Sequence, residues 1–456
     1  MVNIKVDNQV RISNLDPKLI AVIKKSMTIP NPLFFLMRNM GKRTWIKPNF
    51  EYYKVDKKTG DLILPRGSYK RVVNFLEKQK IKVEYTVTTD LVSKPLHWLL
   101  NLGEDIKPIE LRPYQESIVA NIVSNKPSEG VISMSTGSGK TLTALAIIQR
   151  LGLTATVLLP NNTLLNQWAA EIKKQWHYDA GVVNGSCQIM RNITLATYQT
   201  LSSRSNELEY LAASTSILIV EEAQCVVSKS RMKIIDKFHP SHIFGLTGTP
   251  ERTDKQTEAI FFYCGNIIEE HLGEMMTPSV ELVNTRVNLP MRLNYHEMVD
   301  DMVEHKGRNK LIAGLVLGEL VSGRKVLVLT KRIIHYEKIK EFLQAFEGIY
   351  YIDSENKDRN ALLTSFKEGT EEFNAIFGTV ALMSVGTDIP SLDVLIIACD
   401  MKSAVTLTQS GGRVMRLFAG KPNPRIIDLN DLDNPVFRKQ AMSRRSLYKL
   451  KGWLKE

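Results

Sequence analysis

The chain contains 456 residues, 43% of them hydrophobic and 24% charged, which suits roughly three folded domains rather than a disordered protein. No apolar run approaches the ~18 residues of a membrane span, and the N-terminus lacks the pattern of a signal peptide, so we expect no membrane partner. The four cysteines stand far apart without CxxC spacing, which indicates free thiols and argues against a zinc site.

The positive charge is concentrated at one end of the chain. Sixty Lys and Arg against 48 Asp and Glu give a net charge of +12. Residues 1–100 contain 19 basic and 8 acidic side chains and therefore hold +11 of that total, which leaves +1 for the remaining 356 residues. This distribution indicates one module that binds a polyanion.

Residues 1–95 mix short β-rich runs, such as Val2–Val6 and Ile81–Thr88, with helix-like runs, such as Leu19–Ser26 and Tyr69–Gln79. Within them the segment 38–58 interleaves basic with aromatic residues. Basic groups match phosphates and aromatic rings match bases, so the pattern is typical of a nucleic-acid surface, although a small core with a solvated basic rim explains the aromatic residues equally well. The candidate contacts are Arg38, Lys42, Arg43, Trp45 and Lys47.

From about residue 105, apolar β runs such as Ala155–Leu159 alternate with amphipathic helices, which predicts a doubly wound parallel sheet. The alternation fades through about 270–310 and then restarts with the helix-like run Ile334–Phe346 and the β run Ala375–Thr379 among others, so a second domain of the same kind is expected. The predicted limits are a small basic α+β domain at 1–100, a first α/β domain at 101–290, and a second α/β domain at 291–456 that ends in a basic helix.

A phosphate-binding loop is the sharpest motif. The sequence STGSGKT at residues 135–141 follows a predicted strand and precedes a helix, and its glycines allow backbone N–H groups to face a phosphate. Lys140 is expected to contact the β- and γ-phosphates of a nucleotide and Thr141 to bind Mg²⁺. The strict pattern has glycine at 134, where this chain has methionine. The remaining loop candidates are Thr136, Gly137, Ser138 and Gly139.

An acidic pair, Glu221 and Glu222, follows the apolar run Ile217–Val220. Carboxylates at the carboxyl end of a parallel strand lie where the ligand crevice of an α/β sheet opens. One carboxylate can hold the Mg²⁺ shell while its neighbour orients the attacking water.

Together these motifs resemble the helicase and translocase motor of superfamily two, over residues 110–430 and in family order. The resemblance implies two tandem RecA-like domains that use ATP and Mg²⁺. The motifs that carry it are LRPYQ at 111–115, LP at 159–160 with QW at 167–168, ATYQ at 196–199, EEAQ at 221–224, GLTGTP at 245–250, GT at 378–379 with GTDIP at 386–390, and QSGGRVMR at 409–416.

The resemblance also implies a role for each matching residue. Arg112 and Gln115 would read the adenine, and Gly386 and Asp388 would complete the ATP site. Glu221 would hold Mg²⁺ and Glu222 would be the catalytic base, with Gln224, Arg413 and Arg416 also catalytic. The two arginines are three residues apart, and this spacing predicts that they share one helical face. The family normally has aspartate in place of Glu221 and histidine in place of Gln224. Coupling to movement would involve Thr247, Gly248, Thr249 and Gln409, and strand contacts would involve Asn161, Gln167, Thr197, Gln199 and Thr379.

The sequence GLTGTPERTD at residues 245–254 is most similar to that of the DNA-directed members of the superfamily. RNA helicases of the DEAD-box type have SAT at this position and DEAD in place of EEAQ. A basic module ahead of two motor domains is similar to UvsW-type branch-migration helicases of phages. We therefore expect an ATP-dependent DNA helicase or translocase that remodels forks or junctions, acting as a monomer in the cytoplasm, which is the host's if the chain is phage-encoded. The alternatives are an RNA helicase and an ATP-gated nucleic-acid clamp with impaired turnover.

Overall fold

A computed structural model shows two compact units, Met1–Leu272 and Gly273–Glu456. The sequence predicts three domains with limits at residues 100 and 290. These limits stay a prediction, because the division into two units does not test them. The structure describes residues 2–41, 44–78, 85–89, 91–96, 108–135, 137–248, 252, 254–271, 273, 276–353, 356, 358–380, 389–401, 404–418 and 420–454.

The first unit begins with a small mixed α+β module. Its main sheet has the strand order β5-β6-β2-β1-β7, in which β1 runs antiparallel to β2 and parallel to β7. Its strands are β1 (Val2–Val6), β2 (Gln9–Ser13), β3 (Thr28–Pro30), β4 (Asn49–Glu51), β5 (Lys54–Val55), β6 (Leu62–Pro65) and β7 (Tyr85–Thr89), with β3 and β4 forming a separate pair, and its α-helices are Pro17–Ser26, Pro32–Asn39 and Tyr69–Lys78.

The rest of the first unit is a doubly wound sheet of eight strands in the order β11-β10-β12-β9-β13-β14-β8-β15. Every neighbouring pair is parallel except β10 with β11. The strands are β8 (Glu129–Met134), β9 (Ala155–Leu159), β10 (Gly181–Val183), β11 (Gln188–Ile189), β12 (Ile193–Thr197), β13 (Ile217–Val220), β14 (His242–Thr247) and β15 (Ile267–His271). The helices are Pro113–Asn125, Lys140–Leu151, Asn162–Trp176, Tyr198–Ser203, Ser205–Ser214, Lys229–Ile235 and Thr257–Cys264.

The basic module and this sheet share one hydrophobic core, which joins Ile4 and Leu62 of the module to Ala259 and Phe262 of the helix Thr257–Cys264. The two backbones also pack tightly at Gly67, where an added Cβ atom would lie 2.3 Å from the backbone nitrogen of Gly265. The module is therefore built into the first unit rather than tethered to it.

The second unit contains a sheet of six parallel strands in the order β16-β21-β20-β17-β19-β18. Apolar clusters that pack around this sheet form its core. The strands are β16 (Ser279–Asn284), β17 (Val326–Thr330), β18 (Ile349–Ile352), β19 (Ala375–Thr379), β20 (Val394–Ile397) and β21 (Arg425–Asn430), and the helices are Tyr295–Glu304, Lys306–Val321, Ile333–Lys340, Arg359–Glu368, Ala404–Val414 and Pro435–Leu450. The predicted pair of tandem α/β domains is confirmed.

Within the interval 270–310, where the sequence pattern fades, residues 279–284 and 295–310 nevertheless form regular structure apart from His305. Strand β16 is an edge strand whose residues are exposed or half-buried, so its sequence SVELVN lacks the apolar run of the other strands. The helices Tyr295–Glu304 and Lys306–Val321 follow it. Among the described helices, none is both long and apolar enough to cross a bilayer.

Candidate ATPase site and nucleic-acid surfaces

The predicted site residues of the first unit collect along the carboxyl edge of its sheet. Strand β8 leads into the phosphate-binding loop, β13 ends at the acidic pair, and β14 ends at Thr247. Because β13, β14 and β8 are neighbouring parallel strands, these three ends lie side by side. Open α/β sheets bind their ligands at this edge.

The phosphate-binding loop turns on two glycines with positive φ, Gly137 at +81° and Gly139 at +78°. A side chain is strained in that conformation, which explains the glycines. Lys140 begins the helix Lys140–Leu151, and its Nζ donates to the carbonyl oxygens of Met134 (3.1 Å) and Ser135 (3.2 Å). The ammonium thus lies inside the curl of the loop. Thr141 is the second residue of the helix, and Thr136 lies outside the described residues.

Gln115 is bonded to the loop itself. Its Nε2 donates to the Ser138 carbonyl at 2.9 Å, and its Oε1 accepts from the backbone N–H of Arg112 at 2.9 Å. The neighbouring Tyr114 hydroxyl donates to the same Ser138 carbonyl at 2.8 Å, and its ring stacks on His271 at 3.8 Å. The LRPYQ element therefore holds the loop in position, and reading of the adenine stays a prediction.

The acidic pair combines a buried and a half-buried carboxylate. Glu221 is 4% exposed, and burial together with the Glu222 charge raises its pKa to about 8, while Lys140 opposes that rise. Among the described residues, none donates a hydrogen bond to Glu221 Oε2. A buried carboxylate oxygen with no donor, beside a lysine, fits a divalent cation, since Mg²⁺ prefers oxygen ligands. Thr141 and Glu221 are the residues that would hold Mg²⁺.

Gln224 connects the acidic pair to strand β14. Its Nε2 donates to Glu222 Oε2, and its Oε1 accepts from the Thr247 hydroxyl at 2.7 Å. The Arg252 guanidinium donates to the Gln224 carbonyl and pairs with Asp254 at 2.9 Å. Sequence reasoning missed Arg252, although it stands within the quoted GLTGTPERTD. Gly248 follows β14 directly, and Thr249 lies outside the described residues.

The predicted strand contacts of the first unit follow the neighbouring strands β9 and β12. Asn161 caps the helix Asn162–Trp176, where its Oδ1 accepts from the Leu164 N–H at 3.0 Å. Thr197 is buried and shares a hydrogen bond of 2.9 Å with Thr200. Gln167 and Gln199 lie exposed on their helices. Exposed amides at this edge remain candidates for the nucleic-acid backbone.

In the second unit, Arg413 is buried in the last turn of the helix Ala404–Val414. Arg416 lies two residues beyond the end of that helix, so the two arginines do not share one helical face as the spacing predicts. Burial lowers the pKa of Arg416 to about 10. Thr379 ends β19, the backbone of Gln409 lies in the same helix as Arg413, and Gly386 and Asp388 lie outside the described residues.

The basic-aromatic segment divides between surface and core. Arg38 and Lys47 are exposed and Trp45 is fully exposed, whereas Tyr52 is 6% exposed and packs on Phe262. Tyr52 therefore belongs to a core, as the alternative interpretation expects, and a nucleic-acid surface on the exposed residues stays a prediction. Lys42 and Arg43 lie outside the described residues.

Beside this segment a shallow groove runs along β3 and β4. It is lined by Lys24, Lys25 and Tyr53 among others, and Lys24 Nζ lies 5.5 Å from the Tyr53 ring centroid. Sequence reasoning missed both lysines, although they stand as an adjacent pair at the end of the helix Pro17–Ser26.

A parallel α/β sheet with a GSGKT loop after one strand and an acidic pair after another defines a P-loop nucleoside triphosphatase. The chain belongs to superfamily two and is an ATP-hydrolysing helicase or translocase with two RecA-like domains. Residues 108–252 match the family described as type III restriction enzyme, res subunit, and residues 308–418 match the helicase conserved C-terminal domain.

Curated relatives include the probable helicase D10 of Escherichia phage T5, which is 25% identical over 366 residues that cover 77% of this chain and 75% of the relative. The putative ATP-dependent RNA helicase L396 of Acanthamoeba polyphaga mimivirus is 23% identical over 74% of this chain and 67% of its own length. The DNA 3'-5' translocase XPB2 of Sulfurisphaera tokodaii is 32% identical, but over 42% of this chain and 41% of its own length.

A solved structure shares the fold. The ATP-dependent type ISP restriction-modification enzyme LlaBIII bound to DNA superposes with a TM-score of 0.56 at 15% sequence identity, covering 83% of this chain and 34% of that one.

Proposed function

We propose that this motor acts on DNA and remodels branched molecules such as forks and four-way junctions. The basic module would hold one DNA arm while the two RecA-like domains move along another. The alternative with support among the relatives is an RNA motor, because the mimivirus relative bears an RNA-helicase name.

The observation that carries the proposal is the position of the basic module on the first unit. Arg66 of the module donates to the carbonyl of Pro240, two residues before β14 begins, and Gly67 packs on Gly265. A Cβ atom on Gly265 would lie 3.0 Å from the backbone nitrogen of Gly130, at the start of β8. These contacts join the module to the amino edge of the sheet, whereas the ATP site lies at the carboxyl edge. The module also contacts the segment after β14, where the Tyr52 hydroxyl donates to Gln256 Oε1 at 2.8 Å. A nucleic-acid surface on the module would therefore be rigidly joined to the motor.

The hydrolysis chemistry follows from the site residues. Lys140 would neutralise charge on the phosphates, and Glu222 would orient the attacking water and accept its proton. Arg413 and Arg416 would stabilise charge on the transferring phosphoryl group, an effect worth roughly 10³–10⁵ in rate in enzymes of this type. Bound Mg²⁺ would supply further neutralisation of the phosphate charge.

DNA is favoured over RNA by three observations. The element GLTGTPERTD and the family match at residues 108–252 both point to DNA-directed motors. The XPB2 relative is named as a DNA translocase. The exposed Arg38, Lys47 and Trp45 supply cations and one stacking ring, which DNA and RNA accept alike.

A panel of ATPase measurements tests the proposal. We expect forked DNA and four-way junctions to stimulate hydrolysis more than duplex DNA, single strands or RNA, and we expect the protein to convert a four-way junction into two duplexes. Lys140→Ala is the control and should abolish stimulation and conversion together. Stimulation by single-stranded RNA without stimulation by DNA would establish the RNA alternative.

A further inference from the structure

A second island of positive charge lies at the end of the chain. Residues 101–434 contain 34 Lys or Arg and 39 Asp or Glu, a net charge of −5. Residues 435–456 contain seven basic residues and one acidic residue, a net charge of +6. The motor is thus slightly acidic up to its last helix, Pro435–Leu450, where the sign reverses.

This helix is held firmly on its inner face. The Arg444 guanidinium donates to both oxygens of Asp428 at 2.8 Å, and the Tyr448 hydroxyl donates to the same carboxylate at 2.9 Å. Phe437 packs with the helix Tyr295–Glu304 in an apolar cluster. Asn434 caps the first turn, where its Oδ1 accepts from the Val436 N–H at 2.9 Å.

The outer face carries an ordered row of cations. The row consists of four exposed residues, Arg438, Met442, Arg445 and Lys449. The last three follow Arg438 by four, seven and eleven residues, a spacing that places all four on one face of the helix. At 1.5 Å of rise per residue, the row is about 16 Å long, which is about five base pairs of DNA at 3.4 Å each. Arg444 is paired on the inner face, whereas Arg438 lies on the outer face, where its Nε donates to the Leu432 carbonyl and its other N–H groups face outward for a ligand.

We propose that Arg438, Arg445 and Lys449 form a second contact to the nucleic-acid backbone, on the second unit of the motor. The proposal rests on the proposed function, since it assumes that nucleic acid is the polyanion. It assigns the contact to phosphates rather than bases, because the row offers point charges and a single apolar side chain, Met442. Binding here would be independent of sequence and steeply dependent on salt.

The test compares the full-length protein with a triple variant, Arg438→Gln, Arg445→Gln and Lys449→Gln. Each lost phosphate contact reduces the slope of log affinity against log salt by about 0.9 on duplex DNA and about 0.7 on single strands. Three contacts therefore reduce the slope by about 2.7 or about 2.1. Raising the salt from about 50 to about 200 mM lowers the affinity of both proteins for duplex DNA. The factor by which the affinity falls should be about 40 times smaller for the variant than for the wild type.

A matched variant with Lys306→Gln, Lys310→Gln and Lys367→Gln removes three exposed charges elsewhere on the second unit. It should keep the wild-type slope, and thermal unfolding should show that both triple variants are folded. Equal slopes for the two triple variants would overturn the inference while leaving the proposed function intact. A wild-type protein that binds neither duplex nor single strands would instead refute the proposed function itself.

Discussion

The contact at Gly67 provides a direct test of the rigid connection between the basic module and the motor. In Gly67→Ala the new Cβ atom would lie 2.3 Å from Gly265 N, 2.7 Å from Tyr263 C and 2.8 Å from Cys264 N. All three are backbone atoms, so no flexible side chain can move aside. Restoring ordinary contact distances near 3.4 Å requires the two segments to separate by about 1 Å, and overpacking of this kind costs about 1–3 kcal/mol.

The size of the effect follows from the unit's length. Unfolding of the 272 residues of the first unit carries an entropy of about 570 cal/mol/K at about 2.1 per residue, so the midpoint should fall by about 2–5 °C. ATPase activity without nucleic acid should be retained, because Gly67 lies at the amino edge of the sheet and the length of β8, about 16 Å, separates that edge from the ATP loop. Stimulation by branched DNA should fall severalfold.

The control is Gly185→Ala in the same unit, where a Cβ atom would meet open space. It should match the wild type in both the midpoint and the stimulation. A Gly67→Ala protein that behaves like this control would refute the tight contact. A lower midpoint with undiminished stimulation would show that the module need not be rigidly joined to the motor.

Three further predictions concern buried polar groups. Thr247→Val removes the donor to Gln224 at a cost of about 1–3 kcal/mol for the unpaired amide oxygen, so strand displacement per ATP hydrolysed should fall while Thr247→Ser keeps it. Glu221→Asp shortens the expected Mg²⁺ ligand by one methylene to the family's usual length and should raise kcat by up to about 100-fold, whereas an unchanged kcat would show that the glutamate is equivalent. Burial and Arg308 lower the pKa of His335 to about 3, so only the unfolded chain protonates this side chain below about pH 6.5, and His335 by itself lowers the stability by about 1 kcal/mol between pH 7.5 and 5.5. In urea unfolding, the stability of His335→Gln relative to the wild type should rise by that amount over this interval, and a constant difference between the two proteins would contradict the shift.

The core strands were predictable because a buried parallel strand is apolar throughout. Ala155–Leu159, Ile217–Val220 and Ala375–Thr379 match their predicted bounds. The edge strand β16 was not predictable, because one side of an edge strand faces solvent and its sequence therefore lacks a comparable apolar run. The helix Ile333–Lys340 is also shorter than the predicted Ile334–Phe346, because turns replace it from Glu341 onward.

In the site, sequence spacing identified the elements but not their bonding. The resemblance to superfamily two implied that the loop, the acidic pair and Thr247 belong to one machinery, and the structure places their strands side by side. It could not show that Gln115 is bonded to Ser138, because such contacts depend on how the loop turns. The spacing also placed Arg413 and Arg416 on one helix, whereas that helix ends at Val414.

The backbone of Glu222 has a φ of +51°, in the left-handed region that glycine adopts far more easily than glutamate. Non-glycine residues in such conformations cost of order 1–3 kcal/mol and persist where the surroundings impose them. Selection for thermal robustness alone would therefore favour glycine at this position, and such a change would remove the carboxylate expected to accept the water proton. Laboratory evolution of this motor for heat resistance would therefore tend to select glycine in place of Glu222. That substitution would stabilise the fold and remove the expected catalytic base.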